Sequence, residues 1–241
     1  MAPPSGAIMN IYLDIETIPS QSPEVKKEIA DGITAPAQYK KQESIDQWLA
    51  ENREIEADAA WRKTSFDGAY GQIVCISVAI DDAEPVTFWA EDWANYEPSI
   101  LAEFFKYIED STSRALSFGA SIKIKPVFIG HYVADFDLRF VFQRAVMLGI
   151  KPPSCIPFKA KPWDADVFDT MTEWAGTKGR VSLDKLCKVM GIDRKGTEIA
   201  DEIDGSKVWD FVAAGRVADV AKYCAADVER TRAVYKRLTF N

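Results

Sequence analysis

Five side chains have types and spacings that could do chemistry: Asp14, Glu16, Asp137, Tyr223 and Asp227. Asp14 and Glu16 lie in Ile11-Tyr12-Leu13-Asp14-Ile15-Glu16-Thr17-Ile18-Pro19, whose apolar, β-branched residues suit a buried strand. They are two residues apart, so on a strand both point to one face. Burying two like charges side by side is costly without compensation. A bound cation is the usual compensation, and oxygen ligands suit Mg²⁺ or Mn²⁺. The alternative is a strand end that leaves both carboxylates in water.

Tyr223 and Asp227 are four apart on a helical stretch, so they stack on one face. They fall on the rim of the apolar stripe Val217, Val220, Ala221, Cys224, Val228, Tyr235, Leu238. That places them where the helix would meet a sheet, although an ordinary rim Asp beside a snorkelling Tyr has the same pattern. Asp137 ends the stretch Gly130-His131-Tyr132-Val133-Ala134-Asp135-Phe136-Asp137, between an expected strand and helix. An Asp in the first turn of a helix is also favoured by capping and the helix dipole, whatever its function.

The elements that must hold these groups follow from periodicity. Strands are expected at Ile11–Ile15, Gln72–Ile80, Glu84–Trp89, Pro126–Gly130 and Ala165–Met171, with Asp81-Asp82-Ala83 as a turn. Helices are expected at Pro98–Glu109, Asp137–Leu148, Ser182–Met190, Ser206–Ala214 and Val217 to about Leu238. Ser111–Ser121 reads as a loop. Residues 20–70 read as a helical insertion, and Ser44 has capping-box spacing for a helix towards Trp61. An antiparallel pair followed by crossovers indicates a three-layer α/β domain. The expected organisation is a flexible tail at 1–8 and one domain at 9–241.

The 241 residues are 47% hydrophobic and 27% charged, which are globular values. A net charge of −8 argues against a general DNA-coating protein, but not against a nuclease that holds phosphate through metal ions and a local basic patch. No apolar run approaches a membrane span, and the first residues do not read as a signal peptide. Cys75, Cys155, Cys187 and Cys224 form no CxxC pair, which fits reduced thiols in a cytoplasmic compartment.

Asp-x-Glu on a strand, Phe-Asp opening a helix and Tyr-x-x-x-Asp on the last helix, in that order, resemble the DnaQ-like (DEDD) 3′–5′ exonuclease superfamily. The resemblance is to its tyrosine subtype, similar to the stand-alone family-B-polymerase-like exonucleases. It runs from about residue 9 to 240 and leaves 20–70 poorly matched. Ser182-Leu183-Asp184-Lys185-Leu186 and Asp204-Gly205-Ser206-Lys207-Val208 also resemble that branch. Lys222, not His, stands five before Asp227, which selects the tyrosine subtype. One departure is Tyr132, where the family usually has an Asn thought to help hold substrate.

The resemblance implies a ribonuclease-H-like fold, a mixed five-stranded sheet with helices on both faces. It also implies a two-metal-ion mechanism using Mg²⁺ or Mn²⁺. Asp14 would bridge the ions, Glu16 and Asp227 would hold the one serving the attacking water, and Asp137 would serve the other. Tyr223 would aim that water. The implied reaction releases nucleoside 5′-monophosphates from DNA 3′ ends, with single strands preferred. Substrate-binding candidates are Thr17, His131, Phe136, Lys185 and Lys188, although His131 also fits a hydrogen-bonded strand end. Lys178, Arg180, Lys185, Lys188, Arg194 and Lys195 could form a phosphate track or a solvated helix face. Phe136, Phe158 and Trp163 could stack bases or belong to the core. Any polymerase or repair partner would be a separate chain, and no membrane association is expected. RNA trimming on the same site, and a retired exonuclease fold that only binds, are the other readings.

Overall fold

The apolar run around Asp14 is strand β1 (Ile8–Ile18) in the computed structural model, which describes residues 8–117, 124–192 and 203–241. The strand outruns its expected length at both ends. Ile8, expected in a tail, pairs with Lys125; the rest of that tail, 1–7, lies outside the described residues. β2 (Gln72–Ile80) pairs antiparallel with β1, and β4 (Lys125–Gly130) pairs parallel on the other side. β3 (Val86–Trp89) and β5 (Val167–Asp169) complete a five-stranded mixed sheet in the order β3-β2-β1-β4-β5.

Strand alternation sends Ile11, Leu13 and Ile15 into the larger core, with Ile100, Leu101 and Phe104 of α3 (Trp93–Ser117) and Phe140 and Val141 of α4 (Asp137–Leu148). The opposite face meets α8 (Val217–Leu238): Tyr12 clusters with Val228, and Ile18 with Val220 and Cys224. Asp14 and Glu16 share the parity of Tyr12 and Ile18, so they lie on the α8 side. Each fully buried large apolar side chain contributes roughly 1.5–3 kcal/mol. Such anchors on both faces hold β1 despite the two carboxylates between them.

A β-bulge flanks Glu16. Glu16 pairs with Cys75 and Thr17 with Ile73, which leaves Val74 as the extra residue on β2. Val74 and Cys75 both enter the α8-side core. The bulge therefore breaks the ladder beside the acidic residue, a common arrangement near functional sites.

The insertion forms α1 (Pro23–Gly32), α2 (Gln42–Arg62) and a 3-10 turn at Lys63–Phe66. It docks on the end of β1. Trp61 Nε1 donates to the Ser20 carbonyl at 2.7 Å, the Ser20 N–H to Thr64 Oγ1 at 2.8 Å, and Thr17 Oγ1 to the Ser65 carbonyl at 2.7 Å. α2 starts at Gln42 with Lys41 before it, so Ser44 lies inside the helix and does not cap it.

Other boundaries differ from expectation, among them the start of α3, which lies at Trp93 and not Pro98. α3 continues through Ser111–Ser117, with Thr112 Oγ1 bonding back to the Ile108 carbonyl one turn earlier; residues 118–121 lie outside the described residues. The expected strand Ala165–Met171 is pairing-competent only over Val167–Asp169, because Asp169 caps α5 (Thr170–Ala175) by accepting from Met171 and Thr172 N–H. Ser206 donates to Asp204 Oδ1 instead of capping α7 (Val208–Ala213). α6 (Leu183–Met190) is capped by Ser182 and closed by Gly191, and α4 is closed by Gly149, as read from sequence.

A buried ion pair ties the helices to the sheet. Arg144 of α4 donates from Nε and Nη2 to Glu97 of α3 at 2.8 and 2.7 Å, and from Nη1 to the Gly68 carbonyl. Glu97 Oε1 also accepts the Ile73 N–H. All four cysteines are free thiols. No described helix is long and apolar enough to cross a membrane.

Candidate active site

Pairing of β1 with β4 stops at Tyr12 and Ile129. The N–H of Ile15, just beyond, is taken instead by Asp137 Oδ1 at 3.1 Å. Asp137 is the first residue of α4 and is 3% exposed. Its carboxylate thus takes the N–H that a strand neighbour would fill, at the residue that separates Asp14 from Glu16 in the chain. Gly130 makes the turn possible: a Cβ there would meet Val133 Cβ at 2.4 Å and the Leu13 carbonyl at 3.1 Å.

From α8 comes Asp227. One carboxylate oxygen from each of Asp14, Glu16 and Asp227 lies within 4.8 Å of the other two. Asp137 stands outside this trio, but its charge raises the pKa of both Asp14 and Glu16. Burial lifts Asp14 and Glu16 well above the usual carboxylate range, and their neighbours' negative charge lifts them further. Burial also pushes Asp137 up to about 8 and Asp227 up to about 6, the latter against the pull of Arg230. Four acidic groups held this close favour either bound protons or a cation.

Asp14 favours the cation. Its Oδ2 is fully buried and has no hydrogen-bond partner. A hard oxygen donor left that way, on a residue clustered with two other carboxylates, fits a divalent cation such as Mg²⁺ or Mn²⁺.

Tyr223 donates its hydroxyl hydrogen bond to Asp227, one helical turn away. Burial, then the charges of Asp227, Glu16 and Asp14, raise its phenol far above the usual range, so it remains a donor. On the other side of Asp227, Arg230 donates from Nη1 to Oδ1 at 2.8 Å and reaches Asp184 of α6 at 3.5 Å. The only signal for Arg230 in the sequence is its i,i+3 spacing from Asp227.

Asp169 is the other residue that sequence reasoning missed. Besides capping α5, it accepts the N–H of Tyr132 at 3.1 Å and of Ala134 at 3.4 Å, so it holds the loop leading to Asp137. Its cap position was legible, but the 35 or more residues to its loop partners were not.

The remaining candidates are placed as follows. His131 Nε2 bonds the Val181 carbonyl at 2.8 Å and Nδ1 meets Thr170 Oγ1 at 3.0 Å, so both ring nitrogens are engaged inside the protein. Burial lowers its pKa. Thr17 has its hydroxyl on Ser65. Phe136 is half-buried against Phe140 and Phe66, and Phe66 is 68% exposed. Lys185 and Lys188 lie exposed on α6. Asp135 is exposed too. Phe158 packs in the core against Phe142, and Trp163 is exposed beside Lys161. Arg194 and Lys195 lie outside the described residues.

A family model described as a predicted 3′–5′ exonuclease related to the exonuclease domain of PolB matches residues 66–241. That stretch carries Asp137, Tyr223 and Asp227, whereas Asp14 and Glu16 precede it. Among solved structures, the family B DNA polymerase from the hyperthermophilic archaeon Pyrobaculum calidifontis is similar, with a TM-score of 0.53 and 15% identity. The similarity covers 98% of this chain and 25% of the polymerase chain, so this chain spans about a quarter of that protein's length. The likeness establishes the ribonuclease-H-like fold. No curated protein matches the sequence.

Proposed function

Because the chain belongs to the family of predicted 3′–5′ exonucleases related to the exonuclease domain of PolB, we propose that it hydrolyses phosphodiester bonds at the 3′ ends of single-stranded DNA. The products are nucleoside 5′-monophosphates. The observation that carries this reading is the trio Asp14, Glu16 and Asp227 around the unpartnered Asp14 Oδ2, with Tyr223 bonded to Asp227.

Two divalent ions, Mg²⁺ or Mn²⁺, would supply Lewis acidity and lower the pKa of the attacking water when bound. Asp14, central in the cluster, would contact both; Glu16 and Asp227 would share one and Asp137 the other. Tyr223 keeps its proton, so its part is orientation: a phenol beside Asp227 can hydrogen-bond the attacking water and hold it in line with phosphorus. Asp137, fixed on the Ile15 N–H, and Asp227, fixed by Arg230, are held in place before substrate arrives, which lowers the reorganisation needed during reaction. The chain would act in the cytoplasm, on its own or beside a separate polymerase or repair chain.

The test is incubation with 5′- and 3′-labelled DNA and RNA oligonucleotides, with Mn²⁺ or with EDTA. The 3′ label should leave as mononucleotide at once, and the 5′-labelled strand should shorten stepwise. DNA should be cut faster than RNA, and EDTA should stop both. Cleavage that starts from the 5′ end, or persists in excess chelator, refutes the reading.

A further inference from the structure

The loop from Gly130 to Asp137 is pinned at both ends beside Asp14. Gly130 lies against the Leu13 carbonyl and Asp137 bonds the Ile15 N–H. Whatever this loop exposes therefore borders the carboxylate cluster. The loop holds Tyr132 half-buried, with a left-handed backbone of φ 67°. A bulky residue rarely adopts that conformation, and such residues persist where the surroundings hold them. Here Asp169 accepts the Tyr132 N–H, and the Phe136 N–H donates to the Tyr132 carbonyl.

The strain sets the ring under Arg180. The guanidinium carbon lies 4.7 Å from the ring centroid, and Nη2 donates to the Tyr132 hydroxyl at 3.3 Å. Arg180 is exposed, and among the described residues its other bond is from Nη1 to the Gly179 carbonyl at 3.2 Å. In a chain of net charge −8, an exposed cation that pairs with no carboxylate among the described residues has its charge available to something else. It is also held in place. The next residue, Val181, gives its carbonyl to His131, and Asp184 reaches Arg230, the partner of Asp227. This short segment is thus tied both to the loop before Asp137 and to the helix bearing Asp227.

We propose that Arg180, laid flat on Tyr132, is a grip for a phosphate of the bound strand beyond the one being cleaved. The ligand class is a single-stranded nucleic-acid phosphodiester. The idea rests on the proposed nuclease reading for the strand's presence, but its test does not require cleavage. A planar guanidinium stacked on an aromatic ring loses little freedom when it accepts a phosphate in its fork. That suits a contact that fixes the strand's register without reading sequence.

The experiment is fluorescence anisotropy of a labelled single-stranded oligonucleotide with Ca²⁺, over a range of salt, for the native protein and for Arg180→Gln and Arg180→Lys. Loss of one charge-assisted phosphate contact should weaken binding about tenfold in Arg180→Gln. The slope of log K against log salt should become shallower by about 0.7, the value for one phosphate on a single strand. Arg180→Lys should keep the native slope but recover only part of the affinity, because lysine lacks the fork and the stack. Hydrolysis is measured on the same samples. Arg180-dependent binding without cleavage upholds the grip and defeats the exonuclease reading. Cleavage with an unchanged slope in Arg180→Gln defeats the grip and leaves the exonuclease reading standing. A native protein that binds no strand overturns the grip outright.

Discussion

Asp137 accepts the backbone N–H of Ile15 at 3.1 Å, across 122 residues of sequence. Ile15 sits between Asp14 and Glu16, so this one bond sets the spacing of the second-motif carboxylate from the first two. Asp135, two residues earlier, is exposed and makes no such contact. Asp137→Asn keeps an acceptor for Ile15 and removes the charge. We expect it to fold and to lose at least the 10–100-fold typical of disturbed metal-site partners. Asp135→Asn should retain near-native activity. The measurement is single-turnover cleavage of a labelled oligonucleotide, and the reverse ranking would show that Asp137 plays a purely structural part.

Tyr223→Phe keeps the ring beside α8 and removes the hydroxyl bonded to Asp227. We expect kcat to fall on the order of 10²-fold, the low end for a positioned proton-handling group. KM and strand binding in Ca²⁺ should change little, since the interaction matters chiefly in the transition state. An unchanged rate would reduce Tyr223 to a packing residue.

The carboxylate cluster predicts a pH-dependent stability in the absence of metal. Asp14 and Glu16 titrate well above the normal range, Asp137 near 8 and Asp227 near 6. Unfolded carboxyls titrate at about 4. Between those limits the folded chain keeps protons that the unfolded chain has shed, so stability falls as pH rises. Each pKa unit of displacement is worth about 1.4 kcal/mol. The Tm in EDTA should therefore drop from about pH 5 to pH 8. Mn²⁺ should raise it most at the upper end, and Asp14→Asn should flatten the EDTA profile. Parallel profiles for the native protein and Asp14→Asn would remove the like-charge account.

Glu97 and Arg144 are 4% and 8% exposed at their side chains. Glu97→Ala leaves the Arg144 guanidinium buried without its carboxylate and frees the Ile73 N–H. Breaking a buried pair from one side typically costs about 3–5 kcal/mol. Urea denaturation should show a loss of that size, with a similar m-value. A loss below about 1 kcal/mol, the range of surface pairs, would mean that water reaches the pair.

Features that depend on short-range periodicity were legible from the residues alone. The two-residue spacing of Asp14 and Glu16 put both on one face of β1, and the four-residue spacing of Tyr223 and Asp227 put both on one face of α8. The caps at Ser182, Gly149 and Gly191 were legible for the same reason, since cap and helix are neighbours in the chain. Tertiary structure decided what depends on partners far apart. It replaced a β4 bond to Ile15 with Asp137 and assigned Arg230 to Asp227. It also made Asp169, the last residue of β5, the anchor of the Tyr132 loop. Above all, it brought Asp227 to Asp14 across the sheet. Part of the apolar stripe of α8 buries against one face of β1 and β2, and burying it there placed the rim carboxylate beside the strand's own pair.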